Sequence, residues 1–191
     1  MKYYVGVDVG VSGGIGIIDR AGAVVGAHRW QVTNPVLLYN LLLIIRGLID
    51  NIYIELVQTF PQKTSGFQNK NQGLLVNLGV WQGWCMALGL PVVLVSPLTW
   101  QAAYGLSHWQ ARKSESPLEL ARRLWPGAPL EFKVDDGKAV GLLLAELSRR
   151  DALAGFDRAA AQAQKKAKEK LRRKAASVKV KPAGDRQSCG L

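Results

Sequence analysis

The feature that most constrains the fold lies in the first thirty residues. Three apolar segments, 3–8, 14–18 and 23–31, are joined by short links that carry Gly10, Gly13 and Gly22. Parallel neighbours need a crossover of a dozen or more residues, so links this short permit only an antiparallel meander. The pattern then changes. Pro35 opens a helical stretch with apolar residues at Leu38, Leu41, Leu42, Ile45, Leu48 and Ile49. Residues 51–57 return to strand, with Glu55 inside it. Residues 58–72 have no apolar period and read as a polar loop. Residues 73–88 read as a helix whose small residues Gly79 and Gly83 share one face and are expected to permit close packing. A buried strand follows at 91–95, then short helices at 97–104 and 116–125, the second stopped by Pro126-Gly127. Residues 135–150 read as a helix with acids at its start and Arg149-Arg150 at its end, which suits the helix dipole.

Three strands followed by alternation give an α/β architecture. The expected sheet is mixed and five-stranded, with three antiparallel strands and later parallel ones, flanked by helices. That is the layout of the ribonuclease H-like fold. A doubly wound sheet would not begin with a meander.

Charge divides the chain. The 191 residues carry +11, of which residues 157–191 hold +8 and residues 1–156 only +3. The expected organisation is therefore a folded domain at 1–156 and a basic tail at 157–191. The tail is rich in Ala, Gln, Lys and Arg as far as Ala176, then reads as disordered. Lys165, Lys166, Arg172 and Arg173 suit an arm that follows a phosphate backbone. Cys85 and Cys189 make neither a disulfide framework nor a four-ligand zinc site, and His28 and His108 leave little for His-based metal chemistry. No targeting signal is visible, and the longest apolar run, 36–45, is too short to span a bilayer. A soluble, cytoplasmic protein without a membrane partner is expected.

Acids are scarce in the body, so their positions carry information. Asp8 ends the first strand within Val-Gly-Val-Asp-Val-Gly, and Glu55 sits in Ile-Tyr-Ile-Glu-Leu-Val. An ionised carboxylate among such neighbours is costly unless a cation pairs with it. Asp135 and Asp136 open the last helix of the body. Asp8 has a plain alternative as a turn residue before Gly10, and the Asp135-Asp136 pair as helix caps. Glu55 has no capping role. If the first and fourth strands are neighbours, Asp8 and Glu55 lie side by side. Hard oxygen ligands then suit Mg²⁺ or Mn²⁺, and two such ions suit phosphodiester hydrolysis. In the polar segment, Phe60, Lys63, Phe67 and Lys70 could stack on bases or reach phosphates.

The chain resembles RuvC-like Holliday-junction resolvases, in particular their bacterial, phage and chloroplast branch. The resemblance covers residues 3–147. It is carried by Gly6-Val7-Asp8-Val9-Gly10 with Ser12-Gly13-Gly14, by Ile54-Glu55, by the Gly-rich helix from Gly73, and by Val95-Ser96-Pro97-Leu98-Thr99-Trp100. It continues through Gly105-Leu106-Ser107, Lys113, Ser116, Leu124-Trp125-Pro126 and Asp135-Asp136-Gly137-Lys138-Ala139. It implies a homodimeric, Mg²⁺-dependent endonuclease that binds four-way DNA junctions and nicks two strands symmetrically. Asp8, Glu55, Asp135 and Asp136 correspond to the metal-binding acids. Lys113, like the family's lysine, is expected to touch the DNA backbone, and Lys138, beside the acids in sequence, could neutralise a phosphate. One departure stands out: the family's acid four residues after Asp136 is Val140 here. An active resolvase and a structure-specific DNA-binding protein with a weakened site both fit that departure.

Overall fold

The computed structural model describes residues 2–30, 35–57, 65–106, 115–130 and 137–155, with residues 65–71 described by their backbone only. Five strands form one sheet: β1 (Tyr3–Asp8), β2 (Gly14–Asp19), β3 (Val24–Arg29), β4 (Ile49–Glu55) and β5 (Val92–Val95). Their order is β3-β2-β1-β4-β5. The first three strands pair antiparallel, and β4 lies parallel to both β1 and β5. This is the mixed ribonuclease H-like sheet that the opening meander predicts. The β1–β4 ladder starts at Tyr3 beside Ile49, then shifts by one residue to Val5 beside Ile52 and Val7 beside Ile54.

Alternation along the strands sorts the side chains onto two faces. Val5, Val7, Ile15, Ile17, Ile52 and Ile54 meet helices α1 (Pro35–Ile45) and α2 (Ser65–Leu88) through Leu38, Leu42, Leu78, Trp81, Cys85 and Leu88. On the other face, Tyr53 and Val95 pack with Trp100 of α3 (Pro97–Ala103), Leu120 of α4 (Pro117–Leu124), and Val140, Leu143 and Leu144 of α5, residues 137–155. Both short helices begin as their sequences dictate. Ser96 and Ser116 cap them, each followed by Pro at the first helical position, and Glu119 closes a capping box with Ser116.

The α5 backbone lies directly on the sheet. Gly6 and Gly16 are cross-strand partners in β1 and β2. A Cβ on Gly6 would fall on the Gly141 carbonyl, and one on Gly16 would fall on the Leu142 amide. The N-terminal end of α5 is fixed in the same way. Gly137 forms a parallel bridge with Gly13, and a Cβ on Gly137 would strike Ser12 and Gly13. These glycines are required by close approach. Further along, the Tyr53 hydroxyl donates to Asp151 at 2.7 Å and the Tyr104 hydroxyl to the Leu143 carbonyl at 2.8 Å.

Three expectations are corrected. Gly79 and Gly83 do not serve close packing, because both are exposed and a Cβ at either would meet nothing within 4 Å. The segment 58–72 is not loop throughout, since α2 begins at Ser65. Its sequence there, with Gln68, Lys70 and Gln72, is compatible with helix propensity without an apolar period, and the buried second half of α2 anchors it. Glu55 is the last residue of β4 and not its centre. Asp135 and Asp136 lie outside the described residues, which take up α5 at Gly137. By internal contacts the chain divides into units Met1–Asp151 and Ala152–Leu191. No helix among the described residues is long and apolar enough to cross a membrane.

Two glycine substitutions test this packing. Gly141→Ala should lower stability by about 1–3 kcal/mol or more in urea denaturation, through overpacking against β2. Gly79→Ala should raise it by up to about 1 kcal/mol, the helix-propensity gain at an open position. Equal effects of the two changes would refute the packing of α5 on the sheet.

Candidate metal centre

Parallel strands place their C-terminal ends at one edge, and in this sheet both ends carry an acid. Asp8 closes β1 and Glu55 closes β4. The register that puts Val7 beside Ile54 brings Asp8 beside Glu55 on the face covered by α5 and α3. The turn after Asp8 is tied to its carboxylate: the Gly10 amide donates to Asp8 Oδ1 at 2.7 Å. The turn-residue alternative for Asp8 is therefore correct as far as it goes, but that contact coexists with a second one. The Asp8 carboxylate also acts on Glu55 and raises its pKa.

Two carboxylates this close repel, and each disfavours ionisation of the other. The energetics agree. Burial and the neighbouring Asp8 carboxylate push Glu55 up to about 8, against the pull of a hydrogen bond from Trp100. That bond runs from Trp100 Nε1 to Glu55 Oε1 at 2.8 Å. The Glu55 backbone is gripped as well, because it pairs with Val95 and the next amide, Leu56, donates to the Val95 carbonyl at 2.8 Å. On the far side of the turn, the Asn77 side-chain amide of α2 donates to the Val9 carbonyl at 3.2 Å.

Chemically, two adjoining acids that repel when both are ionised fit a divalent cation, which would satisfy both charges. The donors are all oxygen, which suits Mg²⁺ or Mn²⁺. Among the described residues no third His, Cys, Asp or Glu joins them to complete a cluster.

The remaining expected site residues are distributed as follows. Phe67 and Lys70 fall on the first turns of α2, and nothing is described of their side chains. Phe60, Lys63, Lys113, Lys165, Lys166, Arg172 and Arg173 lie outside the described residues, as do Asp135 and Asp136. Lys138 is 7% exposed, and its Nζ donates to the Pro129 carbonyl at 2.8 Å. Val140 is buried at 7% exposure in the cluster that also holds Tyr53, Val95 and Trp100. Trp100 entered the sequence reading only as the end of the Val95–Trp100 motif; it is core, at 2% exposure, and its indole N–H also reaches Glu55 of the acid pair.

The topology defines a ribonuclease H-like domain with an acid pair at the C-terminal edge of its central parallel strands. No family model matches the chain, and no curated protein matches it. Among solved structures it is similar to Thermus thermophilus RuvC in complex with a Holliday-junction substrate. That likeness has 15% identity and a TM-score of 0.48, and covers 75% of this chain and 90% of that one. It is also similar to a Thermus thermophilus RuvC structure, at 17% identity and a TM-score of 0.47, over 74% of this chain and 92% of that one. The fold itself is defined by strand order and register within this chain.

The raised Glu55 pKa makes stability depend on pH. Between the ordinary carboxyl value of 4.5 and about 8, folded Glu55 keeps a proton that the unfolded chain has released. The folded state therefore binds more protons, and stability falls as pH rises through that window. In a chelator-containing buffer, the wild-type Tm should drop relative to Glu55→Gln between pH 5 and 8. A gap between the two that stays constant with pH would show that folded Glu55 does not keep its proton through that window.

Proposed function

We propose that this chain is a metal-dependent endonuclease that resolves four-way DNA junctions. The observation that carries the reading is the Asp8–Glu55 pair, two adjoining carboxyls at the end of parallel strands with Glu55 pushed up to about 8. Asp8 and Glu55 would hold Mg²⁺ or Mn²⁺, with Asp135 or Asp136, just before α5 in sequence, as the further ligand. When bound, two such ions activate a water and stabilise the leaving oxygen of an in-line phosphodiester displacement. The protein's own part is positional. The Gly10 amide orients Asp8, and α5, bridged to Gly13, is fixed beside the turn that follows it. The first turns of α2, with Phe67 and Lys70, together with Phe60, Lys63 and Lys113, would meet the DNA. The basic arm from residue 157 would add affinity through phosphates.

The direct test is incubation with a four-way junction and Mg²⁺ or Mn²⁺. Paired symmetric nicks are expected, and Asp8→Asn should lower their rate by at least about a hundredfold while binding persists, because loss of a ligand removes metal chemistry and not phosphate contacts. Absence of nicking with either cation, or full activity in Asp8→Asn, would overturn the proposal.

Val140 favours a second reading, a junction-binding protein with a weakened site. It is packed in the same cluster as Trp100, where the resemblance calls for an acid. Tight junction binding without cleavage, converted to cleavage by Val140→Asp, would select this reading over the first.

Symmetric nicking implies two copies. Support comes from the outer face of α1 and α2. No Asp, Glu, Lys or Arg occurs in residues 35–45 or 71–111, yet Val36, Leu37, Ile44, Val76 and Met86 are each more than half exposed. Two chains that each carry +11 can meet on an uncharged face without opposing like charges. Sedimentation should show a dimer that Ile44→Glu with Met86→Glu converts to monomer. A wild-type monomer at micromolar concentration would exclude this arrangement.

A further inference from the structure

We propose that Trp100 is a positioning residue for the metal-binding carboxylate Glu55, in addition to its place in the core. The proposal rests on the metal-dependent reading of the Asp8–Glu55 pair. The geometry assigns the role in three steps.

First, the direction of the indole is fixed. Trp100 is 2% exposed and packs in one cluster with Tyr53, Val95, Leu106, Val140 and Leu143. It sits in the first turn of α3, whose start is set by the Ser96 cap, with Ser96 Oγ accepting from the Thr99 amide at 3.1 Å. A ring held this way cannot turn its N–H elsewhere without disrupting the packing.

Second, the partner is held from two sides by one short segment. The Glu55 backbone pairs with Val95, and its Oε1 accepts from Trp100, five residues later. The β5–α3 junction therefore fixes both where Glu55 starts and where its carboxyl ends. A glutamate side chain otherwise loses considerable rotamer freedom when a cation orders it.

Third, the donor type fits the task. An indole N–H donates and cannot accept. It bonds a carboxyl oxygen whether the group is protonated or ionised, and more strongly when ionised. Trp100 thus favours the form of Glu55 that binds a cation. It acts in opposition to burial and to Asp8, both of which favour the protonated form. Partners of this outer kind orient ligands and are worth roughly 10–100-fold in metal affinity.

The test is Mn²⁺ binding to the full-length protein by calorimetry, without DNA, for wild type, Trp100→Phe and Glu55→Gln. Trp100→Phe keeps an aromatic ring and removes the N–H. Its Mn²⁺ Kd should rise by roughly tenfold or more, while circular dichroism and metal-free junction binding stay at wild-type values. A purely structural role would lower Tm and leave Kd unchanged in the folded fraction, and that result overturns the proposal. If wild type and Glu55→Gln bind Mn²⁺ equally, the metal reading of the pair fails first, and the Trp100 role falls with it. Should Trp100→Phe not fold, the wild-type indole N–H resonances decide. On adding Mg²⁺ the Trp100 signal should shift. The Trp125 signal, whose N–H donates to the Gly22 carbonyl at the opposite end of β1, should not. An unmoved Trp100 signal overturns the proposal.

Discussion

The structure depends on the contact between the α5 backbone and the backbone of β1 and β2. Gly6, Gly16 and Gly141 meet there without side chains. A helix normally stands about 10 Å from a sheet, held off by interdigitating side chains. Here the spacer is absent over one short stretch, so α5 settles into the sheet with its first residues against the turn after Asp8. Leu142, Leu143 and Leu144 are then fully buried on the helix flanks. The depth of α5 also determines what lies beside the acid pair. Val140, one position before Gly141, is fixed in the cluster with Trp100 because Gly141 is fixed on β2.

The acid pair is a local conflict supported by the rest of the domain. Neither carboxyl would choose its position alone, since each raises the cost of ionising the other. The sheet edge imposes the proximity, and N–H donors offset part of the cost. Gly10 supplies one to Asp8, and Trp100 supplies one to Glu55. Sites of opposed charge demand of this kind are where function and stability diverge. The energy that holds the pair apart from water comes from apolar packing on both faces of the sheet.

Much of the fold was legible because it is written in local pattern. The short Gly-containing links forced the meander, and the later alternation of periods forced the parallel strands. Asp8 and Glu55 stood out because acids are rare in apolar strands. What was not legible involved contacts between distant residues. Gly6, Gly16 and Gly141 look like ordinary strand and helix glycines until the helix is laid on the sheet, whereas Gly79 and Gly83 have the spacing of a packing motif and face open space. The indole N–H of Trp100 was hidden by its burial, since a core tryptophan gives no local sign of what its one polar atom meets. Lys138 looked like a surface cation because lysine usually is one. The Pro129 carbonyl that accepts its hydrogen bond comes from a segment with no pattern of its own.

The single-residue shift in the β1–β4 ladder determines the site's existence. Continued in step from Tyr3 beside Ile49, the ladder would set Asp8 beside Ile54 and send Glu55 to the opposite face, among the residues that meet α1 and α2. The extra residue in β4 reverses that parity. It turns Ile52 and Ile54 toward the apolar layer and Glu55 toward Asp8 in one movement. Core burial and the pairing of the two acids are thus set by the same irregularity. A chain that lost this residue would have to choose between an intact hydrophobic layer and a pair of acids on one side of the sheet.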